Sequence, residues 1–352
     1  MGGLLVHPAL MFDPLRRRAG NWSKVLADAD DAMALLAVRD LGIFEQLLHG
    51  PATLEDLADY ASAAPRRLRA FLDVVTAMGF LERADEHGVP MYRLLPADDA
   101  LFRDPNARNL LPSEDGPTFF GRRARAVEVL TSDRGIDVAS SGGDVQADQR
   151  RTFLTYLDRH ARAEASELAS LLDEEPLNHL ADLGCGGGTY TAAMLSRWPM
   201  ATAVLVDRPN ARHFVCSQME EVGLADRTKF VGADLLEASW VDRVERPNVV
   251  IISNMLHNIG PDSCAKLIAA AARALIPGGR LVLKDFEVNH DRTGPPGGLR
   301  FALLMALCSE GGDLYSTHEC AGWADDAGLI PEPPVRLHSA PESFVLVARK
   351  PA

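Results

Sequence analysis

The chain has 352 residues, 47% of them apolar and 24% charged, with 36 Lys or Arg against 49 Asp or Glu and a net charge of −13. Such a composition is globular, its length suits about two domains, and its acidity makes it a poor partner for nucleic acid or an anionic membrane surface. No apolar run approaches the roughly 18 residues of a membrane span, and the cysteines at 185, 216, 264, 308 and 320 form no CxxC pair, which speaks against a disulfide framework or a cysteine zinc site.

The opening segment, MGGLLVHPALMFDPLRRRAG, places its arginines after its short apolar stretch, the reverse of a secretory leader. A reduced, cytoplasmic protein is expected. Residues 27–48 then carry Met33, Leu35, Leu36, Val38, Leu41, Phe44, Leu47 and Leu48 at helical spacing. Thr53 and Asp56 have the spacing of a capping box that opens a helix to about Ser62. Pro65 fits the first turn of the next helix, with Leu68, Phe71, Leu72, Val75 and Met78 on one face and Gly79 as its stop. FLERA and MYRLL alternate like the two strands of a wing around a DEHG turn. Helices followed by a wing suggest a winged-helix module. Residues 21–100, however, hold seven Lys or Arg against 14 Asp or Glu, a field that opposes phosphate binding. Packing or dimerisation is therefore expected of this module, with Arg66, Arg67 and Arg69 on a solvated helix face.

Residues 100–176 read as mainly helical, with a turn at SSGGD (140–144) and an amphipathic helix from Thr152 to Leu172. From about residue 177 the pattern becomes strand and helix in alternation: HLADLG (179–184), TAVLVD (202–207), TKFVGAD (228–234), NVVIISN (248–254) and RLVLKDF (280–286). Continuous apolar strands separated by helices, such as Cys264 to Ile276, predict a parallel sheet covered on both faces. PPVRLHS and SFVLVARK follow too closely for a helical crossover, so the last strand pair should be antiparallel.

The first of these strands runs into Asp182-Leu183-Gly184-Cys185-Gly186-Gly187-Gly188-Thr189. Glycines here permit a sharp turn and let a ligand approach the backbone. The dinucleotide GxGxxG spacing and a Walker lysine are both absent. Asp207 ends the second strand, where a carboxylate can accept hydrogen bonds from ribose hydroxyls, and Asp234-Leu235 follows the third. Acids at three successive strand ends repel a pyrophosphate and suit a ligand with a ribose, an adenine and a positive charge, which is the inventory of S-adenosyl-L-methionine.

DLGCGGG, VLVD, GADLLE, ISNMLHNIG and IPGGRLVLKD, in this order, resemble class I S-adenosylmethionine-dependent methyltransferases, and more narrowly the small-molecule O-methyltransferase family of plant caffeate-type and bacterial natural-product tailoring enzymes. The resemblance implies an N-terminal, mainly helical winged-helix dimerisation domain (1–105), a helical bridging region (106–176) and a Rossmann-like α/β catalytic domain (177–352) whose sheet is mostly parallel with an antiparallel last strand. It implies a homodimer and a small-molecule acceptor, with no nucleic-acid or membrane partner. By motif, Gly184, Gly186 and Gly188 line the methionine part, Asp207 binds the ribose, Asp234 and Leu235 flank the adenine, and Asp182 and Ser253 are also expected at the cofactor. His257 matches the family's general base and Asp285 the acid that orients it. Phe153, Leu157, Phe301, Leu304, Met305 and Cys308 match positions near the acceptor. The chain departs from the pattern in having Asn258 after the histidine and Leu314 where a second acid often stands.

A hydroxyl is a better nucleophile once deprotonated, and an imidazole with a pKa near 6.5 can take that proton at neutral pH. O-methylation of a phenol or enol by His257 is the leading expectation. The alternative, which the resemblance also allows, is C-methylation at the β-carbon of a 2-oxo acid, with a metal held by His257, Asp285 and a third ligand, His318 or the Cys308-Ser309 segment; whether a metal takes part stays open at this point. A cofactor-sensing regulator and a non-methylating enzyme are the remaining readings.

Overall fold

The computed structural model describes residues 14–86, 89–104, 116–126, 161–172, 175–309 and 311–352. The chain divides into two compact units, residues 1–121 and 122–352.

In the first unit, α1 (Pro14–Asp40), α2 (Ile43–Leu47), β1 (Ala52–Thr53), α3 (Leu54–Tyr60), α4 (Pro65–Ala77), β2 (Leu81–Glu86), β3 (Val89–Leu94) and α5 (Pro96–Arg103) follow in order, and α6 (Gly116–Ala124) crosses the division at residue 121. The single helix expected over 27–48 is two. Its break falls at Gly42, whose φ of 72° is a left-handed conformation that a side chain would disfavour. The Thr53–Asp56 capping box opens α3 as expected, and Pro65 starts α4. The hairpin also forms, with Leu81 opposite Leu94. Its strands run further than expected, through Glu86 and from Val89, because register pairing holds Asp85 and Glu86 in the ladder. β1 adds to β3, giving the order β1-β3-β2. Val38, Ile43, Phe44, Leu57, Leu72 and Val75 form the core of this unit, where Phe44 stacks on Phe102 at 5.1 Å. Arg66, Arg67 and Arg69 are exposed in it.

In the second unit, among the described residues, β4 (His179–Leu183), β5 (Thr202–Asp207), β6 (Thr228–Gly232), β7 (Val249–Ser253), β8 (Arg280–Phe286), β9 (Ile330–Pro331), β10 (Val335–Arg336) and β11 (Ser343–Arg349) build one sheet. Its order is β10-β11-β8-β7-β4-β5-β6, with β9 on β11. β4 to β8 are mutually parallel, while β11 runs antiparallel to β8. The expected antiparallel last strand is therefore present, and the short β9 was not anticipated. A helix over 161–171, designated α7, shares one apolar layer with α8 (Thr189–Arg197) and α9 (Arg212–Glu221), through Ala165, Leu168, Met194, Leu195, Val215 and Met219. The other face is covered by α10 (Pro261–Ala274) and α12 (Thr317–Asp326), through Leu267, Ile268, Ala271, Cys320 and Ala324. α11 (Pro296–Cys308) lies between these two in the chain. β4 stands between β5 and β7, so the strand order reverses there and opens a crevice at the carboxyl ends of the strands.

Candidate active site

β4 stops at Leu183 because the chain turns at Gly184, whose N–H donates to Val206 O at 2.8 Å on the neighbouring strand. The loop closes with Gly188 N–H on Cys185 O at 2.8 Å. Gly188, at φ 80°, begins α8; a Cβ there would lie 2.6 Å from Met219 Cε, so this glycine faces the interior. Gly186, at φ 53°, is different, since a Cβ would meet nothing within 4 Å. Its side of the loop is open, and it is there that a ligand can reach the backbone. Gly184 is packed from above by Met255, with Leu235 behind it.

Asp207 is drawn across this loop. One carboxylate oxygen accepts the Gly186 N–H at 2.9 Å, and the other accepts the Arg208 N–H at 2.7 Å. Asp234 is exposed and folds back on the Leu236 N–H at 2.9 Å, while Leu235 is buried. Ser253, the last residue of β7, is buried too. Asp182 lies inside β4 and is 1% exposed. The Thr191 hydroxyl donates to one of its oxygens at 2.6 Å, and the other oxygen has no hydrogen-bond partner. Burial, opposed by the Thr191 bond and reinforced by the charge of Asp207, pushes its carboxyl up to about 7. A buried acid with an orphaned oxygen, a bare glycine face and a carboxylate at the next strand end together fit a ligand that carries positive charge and ribose hydroxyls.

On the other side of the crevice, β7 leads into a short turn, Leu256–Asn258, that holds His257. Its Nδ1 lies 2.6 Å from Asp285 Oδ1, and its backbone N–H donates to Asp285 Oδ2 at 3.3 Å. Burial works to raise the Asp285 carboxyl. The His257 charge and hydrogen bond, the Phe286 N–H and the Lys284 charge outweigh it and hold the group below the usual carboxylate range. An ionised Asp285 fixes the proton on Nδ1 and leaves the lone pair on Nε2. The imidazole is ringed by aromatic side chains, with Phe301 at 5.0 Å and Phe286 at 6.1 Å, themselves 4.5 Å apart.

Of the expected acceptor residues, Phe301 reaches His257, while Leu304, Met305 and Cys308 follow it on α11, half-buried. Phe153 and Leu157 lie outside the described residues, as does the 140–144 turn. The metal set is corrected. His318 packs edge-on against His290 at 4.5 Å, and among the described residues His257, Asp285 and His318 form no ligand cluster. Phe286, Met255 and Lys284 were not anticipated. Lys284 stands between Leu283 and Asp285 in RLVLKDF, and nothing in that run marks it as a site residue.

An O-methyltransferase domain model matches residues 135–329, and an O-methyltransferase dimerisation domain model matches residues 29–103. The chain is similar to the tetracenomycin polyketide synthesis 8-O-methyl transferase TcmO of Streptomyces glaucescens, with 30% identity across 84% of this chain and 87% of the relative. Similarity extends to the aclacinomycin 10-hydroxylase RdmB of Streptomyces purpurascens, at 27% identity across 87% of this chain and 83% of that one. Among solved structures, an O-methyltransferase family protein from Burkholderia thailandensis superposes with a TM-score of 0.78 at 21% identity, over 95% of this chain and 98% of the other. The chain belongs to the O-methyltransferase family and is an S-adenosylmethionine-dependent methyltransferase with that family's dimerisation domain.

Proposed function

We propose that the protein methylates a hydroxyl of a small, planar aromatic natural product, with His257 as general base. The observation that carries this reading is the buried Asp285–His257 pair at 2.6 Å, set among Phe286 and Phe301. S-adenosylmethionine, when bound, would supply an electrophilic methyl group on a sulfonium, whose sulfur–carbon bond would break as the oxygen–carbon bond forms, leaving neutral S-adenosylhomocysteine. Gly186 and Asp182 would lie along its charged portion, Asp207 would take the ribose hydroxyls, and Asp234, Leu235 and Ser253 would border the adenine. His257 Nε2 takes the hydroxyl proton as the oxygen forms its bond to carbon. Asp285 accepts the Nδ1–H throughout and stabilises the imidazolium that results. Phe286 and Phe301 keep water from the proton acceptor and offer faces on which an aromatic ring can pack. The similarity to a polyketide 8-O-methyl transferase supports an acceptor of the polycyclic phenol class.

Carbon methylation of a 2-oxo acid through a metal is the weaker reading, since the described residues bring no three His, Cys, Asp or Glu side chains together as a metal-holding group. The dimerisation domain, together with the exposed Val25 and Met33 of α1, supports a homodimer. None of the five cysteines is in a disulfide, which suits a reducing compartment, and no described helix is long and apolar enough to cross a membrane. We place the protein in the cytoplasm.

The test offers purified protein methyl-labelled S-adenosylmethionine with a panel of polycyclic phenols and 2-oxo acids, and locates the label by mass spectrometry. Label on a phenolic oxygen is expected; label on a carbon beside a keto group would contradict the proposal.

A further inference from the structure

Lys284 is completely buried, one residue from the acid that orients the candidate base. Successive residues of a strand point to opposite faces. Asp285 therefore meets His257 on one face of the sheet, and Lys284 enters the layer of α7 and α8 on the other. There its ammonium contacts the Glu164 carboxylate of α7 and donates to Asn254 Oδ1 at 2.8 Å. Asn254 Nδ2 in turn donates to the Tyr190 hydroxyl at 3.3 Å, and that hydroxyl donates to Glu164 at 2.9 Å. Burial and the adjacent Glu164 charge drive the Tyr190 phenol far up, so it stays a donor. Four side chains from α7, α8, β8 and the end of β7 thus close one hydrogen-bonded ring.

The core does not require this ring. A buried ion pair can often be replaced by apolar side chains of similar volume without loss of stability, and Val282, two residues earlier on the same face, is apolar and fully buried. The ring instead grips Asn254, a residue in the left-handed region at φ 51°. Such a conformation persists only where its surroundings over-determine it. Asn254 is held twice by residue 284, through its side chain and through its own N–H on the Lys284 carbonyl at 2.8 Å. Three residues later, His257 is held twice by residue 285, through its ring and its N–H.

We propose that Lys284 is a positioning residue, which with Glu164, Tyr190 and Asn254 anchors the start of the 254–257 turn as Asp285 anchors its end, and so sets where His257 stands. The inference rests on His257 acting as the base. Loosening one anchor displaces the imidazole, and a displacement of about 1 Å can cost 10²-fold in rate.

Two variants test it: Glu164→Gln/Lys284→Met, which removes both charges so that neither is left buried alone, and Asn254→Ala, which leaves the ion pair intact. Each is measured for kcat on the phenol that accepts label, for S-adenosylhomocysteine affinity, and for amide exchange of a peptide spanning residues 253–260. The expected result is a loss of roughly 10- to 100-fold in kcat, with affinity changed less than about threefold. Exchange of that peptide should quicken while the peptide spanning β4 and β5 keeps its protection. Combining either variant with His257→Ala should cost little beyond His257→Ala alone, because both act through the same imidazole. Wild-type kcat and exchange in both variants, or losses that multiply with His257→Ala, would overturn the anchor while leaving the base intact. Normal turnover by His257→Ala alone would instead overturn the base. Should the double variant fail to fold, Asn254→Ala decides the matter by the same measurements.

Discussion

Along the carboxyl edge of the large sheet, β4, β5 and β6 contribute backbone amides and single carboxylates, whereas β7 and β8 contribute side chains assembled from distant segments. The Gly184–Gly188 loop and Asp207 meet through one short hydrogen bond from a main-chain N–H. His257 and Asp285, by contrast, are 28 positions apart, and Tyr190 and Asn254 are 64 apart. The first half needs only correct turns, because its groups are fixed by backbone conformation. The second needs a pleat, a left-handed residue, one buried ion pair and one buried imidazole–carboxylate hydrogen bond. On the proposed roles the first half binds and the second does the chemistry, and substitutions in one half should leave the other's observable unchanged.

The largest effect is expected in the second half. Asp285→Asn removes the charge that holds the Nδ1 proton, and kcat should fall by about 10²-fold or more with S-adenosylhomocysteine affinity preserved in calorimetry. Loss of affinity in parallel would break the division. Asp207→Ala is the mirror case. Hydrogen bonds to a charged group are worth about 1.5–3 kcal/mol, so cofactor affinity should drop roughly 10- to 100-fold, while kcat at saturation stays within a few fold. A matching collapse of kcat would mean that Asp207 serves the chemistry as well.

Asp182 gives a smaller, pH-dependent signature. Its folded carboxyl titrates at about 7 against an ordinary 3.8, so between those values the folded chain keeps a proton that the unfolded chain has lost. Stability of the ligand-free protein should therefore fall as pH rises from about 4 towards 7, by at most about 1.4 kcal/mol per pH unit, and level off above. Denaturant unfolding at pH 5 and 7.5 measures it, and Asp182→Asn should flatten the slope. An unchanged slope in that variant would assign the effect to other groups.

The same division governs how much could be read from the sequence. β4 to β8 are apolar runs bounded by turn residues, and all five stand within a residue or two of where periodicity placed them. The turn at the glycine loop and the place of Asp207 at the end of β5 could be read because each stands at the end of an apolar strand, where Asp207 accepts the Gly186 N–H. Asp285 came only through resemblance to a family. The ring around Lys284 was not legible at all, since nothing in RLVLKDF says which face residue 284 takes or that Glu164 and Tyr190 wait there. The break at Gly42 was missed for a related reason. Helical periodicity runs straight through it, and only the backbone reveals the left-handed residue.

The central claim is that His257 moves a proton and does not hold the cofactor. His257→Ala, assayed for single-turnover methyl transfer to a labelled phenol and, in parallel, for S-adenosylhomocysteine binding, tests it most directly. The expected rate is about 10²-fold or more below wild type, with affinity changed less than about threefold. Wild-type transfer in that variant, or a loss explained entirely by weaker cofactor binding, would contradict it.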